Sequence, residues 1–401
     1  MLINRNYTLL FIAQFITVLG NWLLLVAVPI YIFQTTGSSF MMSVAYAIEI
    51  LATVFIMPFG GVFSDLINRH KILYGGDFIS CLIALILVIC LWFKPTSILL
   101  LLPLLFILAA IGSVQHPAFQ GKVPEIVNKN QLGNANSYFA FINQFMSMLG
   151  PLIGVTIISF LGVINAIIVD AFSYLVSAII LLFIQYEYIK QATVINLAKI
   201  FSDLKKGWQY TFAHPLMGSA TIMFTVYCIS LGLIQGSIYF FLLHVLSFSN
   251  SQLGIVLAVR GLGAVIGALL TPKVNKYFAK GRFMLWCIIL SAIGVSLHMA
   301  TKNLIAISLL GGFCMFCEGM IAVTMFTLRH HTVPQNMLGK VVGISRPMSW
   351  ATIPLGAVIG GYYIGINYYI VFIIAVISQL AAFAVGFFSP LNQSDKEIYK
   401  S

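Results

Sequence analysis

Four ionisable side chains lie inside long apolar stretches of this sequence: Glu49, Asp170, Arg260 and Glu318. An ionisable group at membrane depth is costly to insert and by default marks a substrate pathway or a proton relay. A carboxylate held away from water can exchange protons near neutral pH, as coupling to a proton gradient requires. We therefore predict Glu49, Glu318 and Asp170 as proton-coupling residues, with Glu49 and Glu318 as the leading pair. For Asp170, pairing with a polar neighbour is an equal alternative.

Three roles are open for Arg260. It is a counter-ion for these carboxylates, a contact for an anionic substrate, or half of a structural ion pair. Other polar residues in the apolar stretches either line a substrate cavity or make hydrogen bonds between helices. With Arg260, these cavity candidates are Gln14, Asn21, Trp22, Asn143 and Gln144.

The apolar stretches have the length of membrane-spanning helices. Of the 401 residues, 60% are hydrophobic and 8% are charged, whereas a soluble domain carries about 25% charged residues. A helix needs about 20 apolar residues to cross a bilayer. Twelve runs qualify: 8–33, 41–63, 72–93, 98–117, 137–161, 163–185, 216–244, 252–272, 283–300, 303–326, 342–365 and 367–389. The predicted fold class is an all-α integral membrane protein of twelve transmembrane helices.

The distribution of Lys and Arg predicts the orientation, because short cytoplasmic loops carry an excess of both. With both termini in the cytoplasm, eighteen of these residues lie on the inner side, and only Lys94 and Lys302 lie on the outer side. The net charge of +11 therefore reflects topology, and we expect no nucleic-acid partner. The expected location is the bacterial cytoplasmic (inner) membrane.

An internal duplication organises the spans. A shift of 206 residues aligns Gly61 with Gly267, Leu132-Gly133 with Leu338-Gly339, and Gly150 and Gly154 with Gly356 and Gly360. Long transporters are commonly built from such repeats. We predict an N-terminal six-helix bundle over 1–186, a cytoplasmic linker over 187–215, a C-terminal six-helix bundle over 216–390 and a tail over 391–401. The linker carries an amphipathic helix, which lies either on the membrane surface or against the protein.

The loop after the second span carries a motif. A Gly, three residues, an Asp and a basic cluster occur here as Gly61, Asp65, Arg69 and Lys71. This pattern resembles the signature of the major facilitator superfamily, although Leu66 stands where that family usually has Arg. The resemblance implies two six-helix bundles around a central cavity and a cytoplasmic latch at this loop, with Asp65 beside a helix N-terminus.

We group Asp77 with these latch residues as part of a cytoplasmic gate. The preferred interpretation is that it is a structural partner of Arg69 and Lys71.

A second motif, Gly150-Pro151-Leu-Ile-Gly154, resembles the Gly-Pro-x-x-Gly-Gly motif of antiporters in the same superfamily. The implied role is gating, in which we include Gly356 and Gly360. Close helix packing is the alternative, because glycines four residues apart let helices approach.

Further segments resemble the branch that holds macrolide-efflux and enterobactin-exporter proteins. They are residues 117–124, 132–136, Pro334 and 338–340. The implied function is export of a small amphipathic compound by alternating access, driven by a proton or sodium gradient. A dedicated exporter of a siderophore or another endogenous metabolite is the alternative. In that case Arg260 should face the cavity.

The sequence contains none of the motifs HExxH, P-loop or GxSxG, so we expect no enzyme, cofactor or metal site. A lipid transporter or a membrane enzyme is the least favoured interpretation. The expected partners are the small-molecule substrate, the coupling ion and the lipid bilayer, and the expected state is a monomer.

Overall fold

The computed structural model describes residues 3–92, 98–185 and 197–393, without the side chains of residues 62, 65, 98, 99, 129, 140, 144, 147, 148, 197–201 and 336. Every regular element in these ranges is helical. Helices are expected here because lipid offers no partner for backbone N–H and C=O groups, and a helix satisfies them within one segment. Large apolar side chains face outwards, among them Phe160, Leu269 and Trp286, as a surface in contact with lipid requires.

The chain divides into two compact units, each with its own set of helices. The first unit comprises Met1–Gly37 and Ile48–Ile195, and the second comprises Ser38–Ala47 and Asn196–Ser401. In chain order the first six helices are α1 (Arg5–Thr36), α2 (Ser39–Leu66), α3 (Arg69–Trp92), α4 (Ile98–Ile126), α5 (Leu132–Leu161) and α6 (Val163–Leu182).

The remaining helices belong to the second unit. They are α7 (Leu197–Ala213), α8 (Pro215–Phe240), α9 (Asn250–Val274), α10 (Lys280–Leu297), α11 (Leu304–Thr332), α12 (Gln335–Trp350), α13 (Thr352–Ile364) and α14 (Tyr368–Phe387). A π-helical turn over Phe241–Val245 extends α8.

The predicted twelve-span fold is confirmed, with adjusted boundaries. Ten helices of the described residues are long and apolar enough to cross a membrane. The other two spans are α5 and the α12–α13 pair. Predicted span eleven is broken at Ala351. Pro354 in the first turn of α13 has no N–H to donate to the preceding turn, so an unbroken helix would lack that hydrogen bond.

The same helix pairs pack in both units, as a duplication requires. In the first unit α1 packs on α5 and α6, and α3 packs on α4 and α6. In the second unit α8 packs on α13 and α14, and α10 packs on α11 and α14. The aligned glycines occupy matching contacts: Gly150 and Gly154 lie against α1, and Gly356 and Gly360 lie against α8. The alternative interpretation of these glycines, close helix packing, describes their surroundings in both units.

One helix contributes to both units. The start of α2 packs within the second unit, where Ser39 Oγ donates to Gly361 O at 2.8 Å and Ser43 Oγ donates to Gly236 O at 2.6 Å. Phe40 meets Tyr362 edge to face. The remainder of α2, from Ile48 onwards, belongs to the first unit. The predicted domain boundaries do not include this division of α2.

The amphipathic linker helix corresponds to α7, which packs on α12. Lys340 Nζ pairs with Asp203 Oδ1 at 2.8 Å. Gly207 lies so close to the backbone of Lys340 that a Cβ there would overlap it. Trp208 and Lys205 on the same helix are exposed. One face of α7 therefore packs on the protein, and its placement on the membrane surface stays a prediction.

Candidate functional site

A small cavity of about 30 Å³ lies within the second unit, between α8, α9, α10, α11 and α14. Two of the residues singled out from the sequence, Arg260 and Glu318, line it together. Aromatic and sulfur-containing side chains form much of the remaining wall, notably Tyr227, Phe372 and Met315. The cavity therefore combines apolar surface with one cation and one carboxyl group.

Arg260 is almost fully buried, with 5% of its surface exposed. Its Nη2 donates to Gln235 Oε1 at 3.3 Å and lies 3.5 Å from Met315 Sδ. The glycine at Gly311 makes room for the side chain, since a Cβ there would come within 2.9 Å of Arg260 Cγ. These hydrogen-bond partners are neutral, so the contacts do not match the structural ion pair considered from the sequence.

Glu318 occupies the α11 wall of the same cavity and is half-buried. It lies within electrostatic range of Arg260. An opposite charge at this range stabilises the ionised carboxylate, whereas removal from water favours its neutral form.

A neutral hydrogen-bond network, which sequence reasoning missed, closes one end of the cavity. Gln379 Nε2 donates to Ser230 Oγ at 2.9 Å and to Ser291 Oγ at 3.4 Å. Gln379 Oε1 has no hydrogen-bond partner among the described residues. The shift of 206 residues was a usable signal, because it aligns Gln379 with Ser173 and Tyr227 with Asn21. Polar residues thus recur at equivalent depths in the two halves.

The first unit holds the other predicted carboxylates, Glu49, Asp77 and Asp170. All three lie within electrostatic range of Tyr174 on α6. Glu49 is half-buried on α2, and Asp170 is fully buried on α6. Glu49 and Glu318 belong to different units.

The preferred pairing of Asp77 with the basic loop is corrected by the structure. Asp77 Oδ1 accepts from Gln115 Nε2 at 2.8 Å, and Asp77 Oδ2 accepts from Ser177 Oγ at 2.5 Å. Asp77 lies two helical turns into α3 and is 3% exposed, which places it beyond Arg69 at the start of that helix. Its partners are neutral side chains of α4 and α6.

The predicted latch residues have varied surroundings. Arg69 Nη1 pairs with Glu125 Oε1 at 2.9 Å, and Lys122 Nζ pairs with Glu125 Oε2 at 2.9 Å. Arg69 Nε also donates to Ser64 O at 3.2 Å, so this arginine ties the end of α2 to α4. Lys71 is exposed, Gly61 has open space beside it, and the side chain of Asp65 lies outside the described residues.

The predicted cavity residues of α1 and α5 fall into different environments. Asn21 is exposed and accepts from Tyr174 Oη at 2.6 Å, while Gln14 is half-buried. Trp22 packs over Gly150, beside the buried Pro151. Asn143 is exposed and donates to Phe139 O on its own helix at 3.0 Å. The side chain of Gln144 lies outside the described residues.

A duplicated bundle of membrane-spanning helices with ionisable residues in its interior defines a multi-pass membrane transporter. The sequence matches the family described as "Transmembrane secretion effector" over residues 2–401. The chain therefore belongs to this family of major facilitator transporters and is not an enzyme.

Similar proteins include exporters of two kinds. The chain is 25% identical to the multidrug efflux pump Tap of Mycolicibacterium fortuitum, over 85% of each chain. It is 24% identical to the enterobactin exporter EntS of Escherichia coli O1:K1, over 83% of this chain and 79% of that one.

Solved structures support the fold. The nucleoside transporter NupG superposes with a TM-score of 0.73 at 14% identity, over 96% of this chain and 99% of that one. A bacterial homologue of the iron transporter ferroportin superposes with a TM-score of 0.72 at 14% identity, over 96% of this chain and 98% of that one.

Proposed function

We propose that this protein exports a small amphipathic compound by alternating access and that the cavity of the second unit recognises it. The observation that carries the proposal is that Arg260 and Glu318 line the same cavity as Tyr227, Met315 and Phe372. Aromatic and thioether surface accepts varied apolar groups, since methionine fills irregular contacts and adapts to its neighbours. The efflux pump and the siderophore exporter among the similar proteins support export.

Glu318 provides the coupling step in this proposal. When Glu318 is ionised, its charge attracts a positive or hydrogen-bond-donating group of the substrate. When Glu318 takes up a proton, that attraction is lost and the substrate is released. Because the proton and the substrate exclude each other at this carboxyl group, an inward proton gradient can drive export.

A dedicated exporter of an anionic metabolite is the second candidate. Arg260 favours it, because an exporter of an anionic metabolite is expected to present this arginine to the cavity. A buried guanidinium whose hydrogen-bond partners are a neutral amide and a thioether keeps donors in a fork that suits carboxylate or phenolate oxygens. The similar protein EntS is named for enterobactin.

The proposed setting is a bacterial cytoplasmic membrane, with a monomer whose termini both face the cytoplasm. The Lys and Arg distribution supports this orientation. Glu49 and Asp170 remain proposed as further coupling groups in the first unit, and the Arg69 loop remains proposed as a gate.

The test uses purified protein in liposomes with an imposed proton gradient, and ethidium and 2,3-dihydroxybenzoate as cationic and anionic probes. Glu318→Gln should lower gradient-driven export of any transported probe at least about tenfold, as loss of a general acid–base group commonly does. Arg260→Gln should abolish export of the anionic probe alone, because only that probe needs the cation.

Asp203→Asn is the matched control, since Asp203 is partly exposed, pairs with Lys340 between α7 and α12, and does not line the cavity. Unchanged substrate-induced proton flux in Glu318→Gln would contradict the coupling role. Equal loss of both probes in Arg260→Gln would contradict anion recognition.

A further inference from the structure

Asp170 is the most deeply buried carboxylate among the described residues. None of its surface is exposed. Neither of its oxygens has a hydrogen-bond partner of acceptable geometry among the described residues. A buried polar atom without a partner loses its hydration without compensation, and a buried charge loses far more. A proton or another ion must therefore compensate the lost hydration of the Asp170 carboxylate, because the side chains in contact with it do not.

Further oxygens converge on the same place from α1 and α6. A Cβ added to Gly20 would overlap Asp170 Oδ1 and Ser173 Oγ, so both atoms lie directly against the backbone of α1. Thr17, one turn before Gly20, and Ser173 also have hydroxyl oxygens without a hydrogen-bond partner of acceptable geometry. The Asp170 carboxylate and the Ser173 hydroxyl thus lie together where α6 meets α1, and Thr17 lies about one turn away on α1.

Asp77 places a second carboxylate beside this group. It interacts electrostatically with Asp170. The hydroxyl of Ser177, two turns along α6 from Asp170, donates to Asp77 Oδ2. Thr17 also lies against Asp77. Four helices, α1, α3, α4 and α6, therefore enclose two acidic side chains whose described hydrogen-bond partners are neutral.

Two cations of the first unit are paired with a carboxylate other than Asp170 or Asp77. Arg69 and Lys122 of the same unit pair with Glu125 at the end of α4. Two carboxylates close together do not both remain charged unless a cation or a proton compensates them. Clustered hydroxyl and carboxylate oxygens are the ligands that small hard cations prefer.

From these oxygens we infer a buried site in the first unit that binds one exchangeable small monovalent cation, either a proton or Na⁺, on Asp170. Thr17, Ser173 and Asp77 complete the set of oxygen ligands. Ser173 is half-buried, so this ligand is not fully enclosed by protein.

The site would hold the coupling ion of the proposed exporter, and in that respect it rests on the proposed function. Ion binding itself can be measured without substrate and without the cavity of the second unit. If no ion binds at Asp170, the proposed roles of Arg260 and Glu318 can still hold. If those roles are disproved, ion binding at Asp170 can still be observed.

The Na⁺ arm of the test measures thermal unfolding of the purified full-length protein in detergent. NaCl replaces choline chloride at constant ionic strength. If the site takes Na⁺, saturating NaCl should raise the Tm by about 2–4 °C, because a ligand that binds only the folded state stabilises it. Asp170→Asn should abolish the shift, and Asp203→Asn, at a partly exposed carboxylate of α7, should retain it.

The proton arm uses infrared spectroscopy of the same protein without Na⁺. If the site takes a proton, a protonated-carboxyl band should disappear as the pH rises, and Asp170→Asn should lack that band. Gly20→Ala provides a second variant, because its methyl group displaces the Asp170 carboxylate without removing it; it should weaken Na⁺ binding or shift the band. A wild-type protein with no Na⁺-dependent Tm and no band lost in Asp170→Asn would overturn the inference.

Discussion

Cysteines introduced together at Ser39 and Gly365 should form a disulfide and stop transport. A Cβ built on Gly365 lies 3.9 Å from Ser39 Cβ, within the range of about 3.5–4.5 Å that disulfides require. Ser39 is anchored there by its hydrogen bond to Gly361 O. The bond would fix the start of α2 on the end of α13.

The expected block follows from the position of α2. Its first residues pack in the second unit, and its remainder belongs to the first. Alternating access requires such a helix to change partners during each cycle. A permanent bond at Ser39 therefore holds one state, and transport in liposomes should fall to background and return after dithiothreitol.

Two controls make this result specific. Each single cysteine variant should transport normally, with or without an oxidant. Pairing Ser39→Cys with Gly339→Cys should give no intramolecular disulfide, because a Cβ at Gly339 has no neighbouring atom within 4 Å. Full transport by the oxidised Ser39–Gly365 pair would show that α2 stays on α13 throughout the cycle.

The sequence predicted the fold well because its signals were long and redundant. Apolar runs of membrane-spanning length, loop charge and the repeat at Gly150 and Gly356 all pointed to two related halves. The break between α12 and α13 was not predicted, although Pro347 and Pro354 flank it. Proline alone is an ambiguous signal in this chain, because Pro29, Pro58 and Pro151 lie inside unbroken helices.

The sites were less predictable, because their chemistry depends on which helix faces which. Arg260 and Glu318 were identified as rare charges, but their presence in one cavity depends on how α9 and α11 pack. Asp77 was assigned to nearby basic residues in the chain, yet its partners Gln115 and Ser177 are distant in sequence. Gln379 was missed because an amide in an apolar run resembles an ordinary packing residue.

The two halves share packing and differ in charge. The shift that aligns Asn21 with Tyr227 and Ser173 with Gln379 places a carboxylate site in one half and a neutral amide network in the other. Duplication therefore preserved the helix contacts, while substitutions at the same depth gave each half its own chemistry. We expect ion binding and substrate binding to be separable by mutation for this reason.

Gly263→Ala should destabilise the second unit severely although it adds a single methyl group. At Gly263 the added Cβ would overlap the carbonyl oxygen of Gly312 on α11 and lie 2.7 Å from its carbonyl carbon. Close approach of α9 and α11 recurs at Gly267 and Gly319, so the two backbones cannot separate at one point alone. Overpacking of this kind costs about 1–3 kcal/mol and sometimes more.

The matched control is Gly112→Ala on α4, where no atom lies within 4 Å of an added Cβ. Alanine exceeds glycine in helix propensity by about 1 kcal/mol, so this variant should be as stable as the wild type or more so. The measurement is the fraction of protein that stays monodisperse in detergent after heating, by fluorescence size-exclusion chromatography. A loss of stability in Gly263→Ala together with unchanged or higher stability in Gly112→Ala would locate the effect in the α9–α11 contact. Equal stability of the two variants would show that these helices pack less closely than the structure places them.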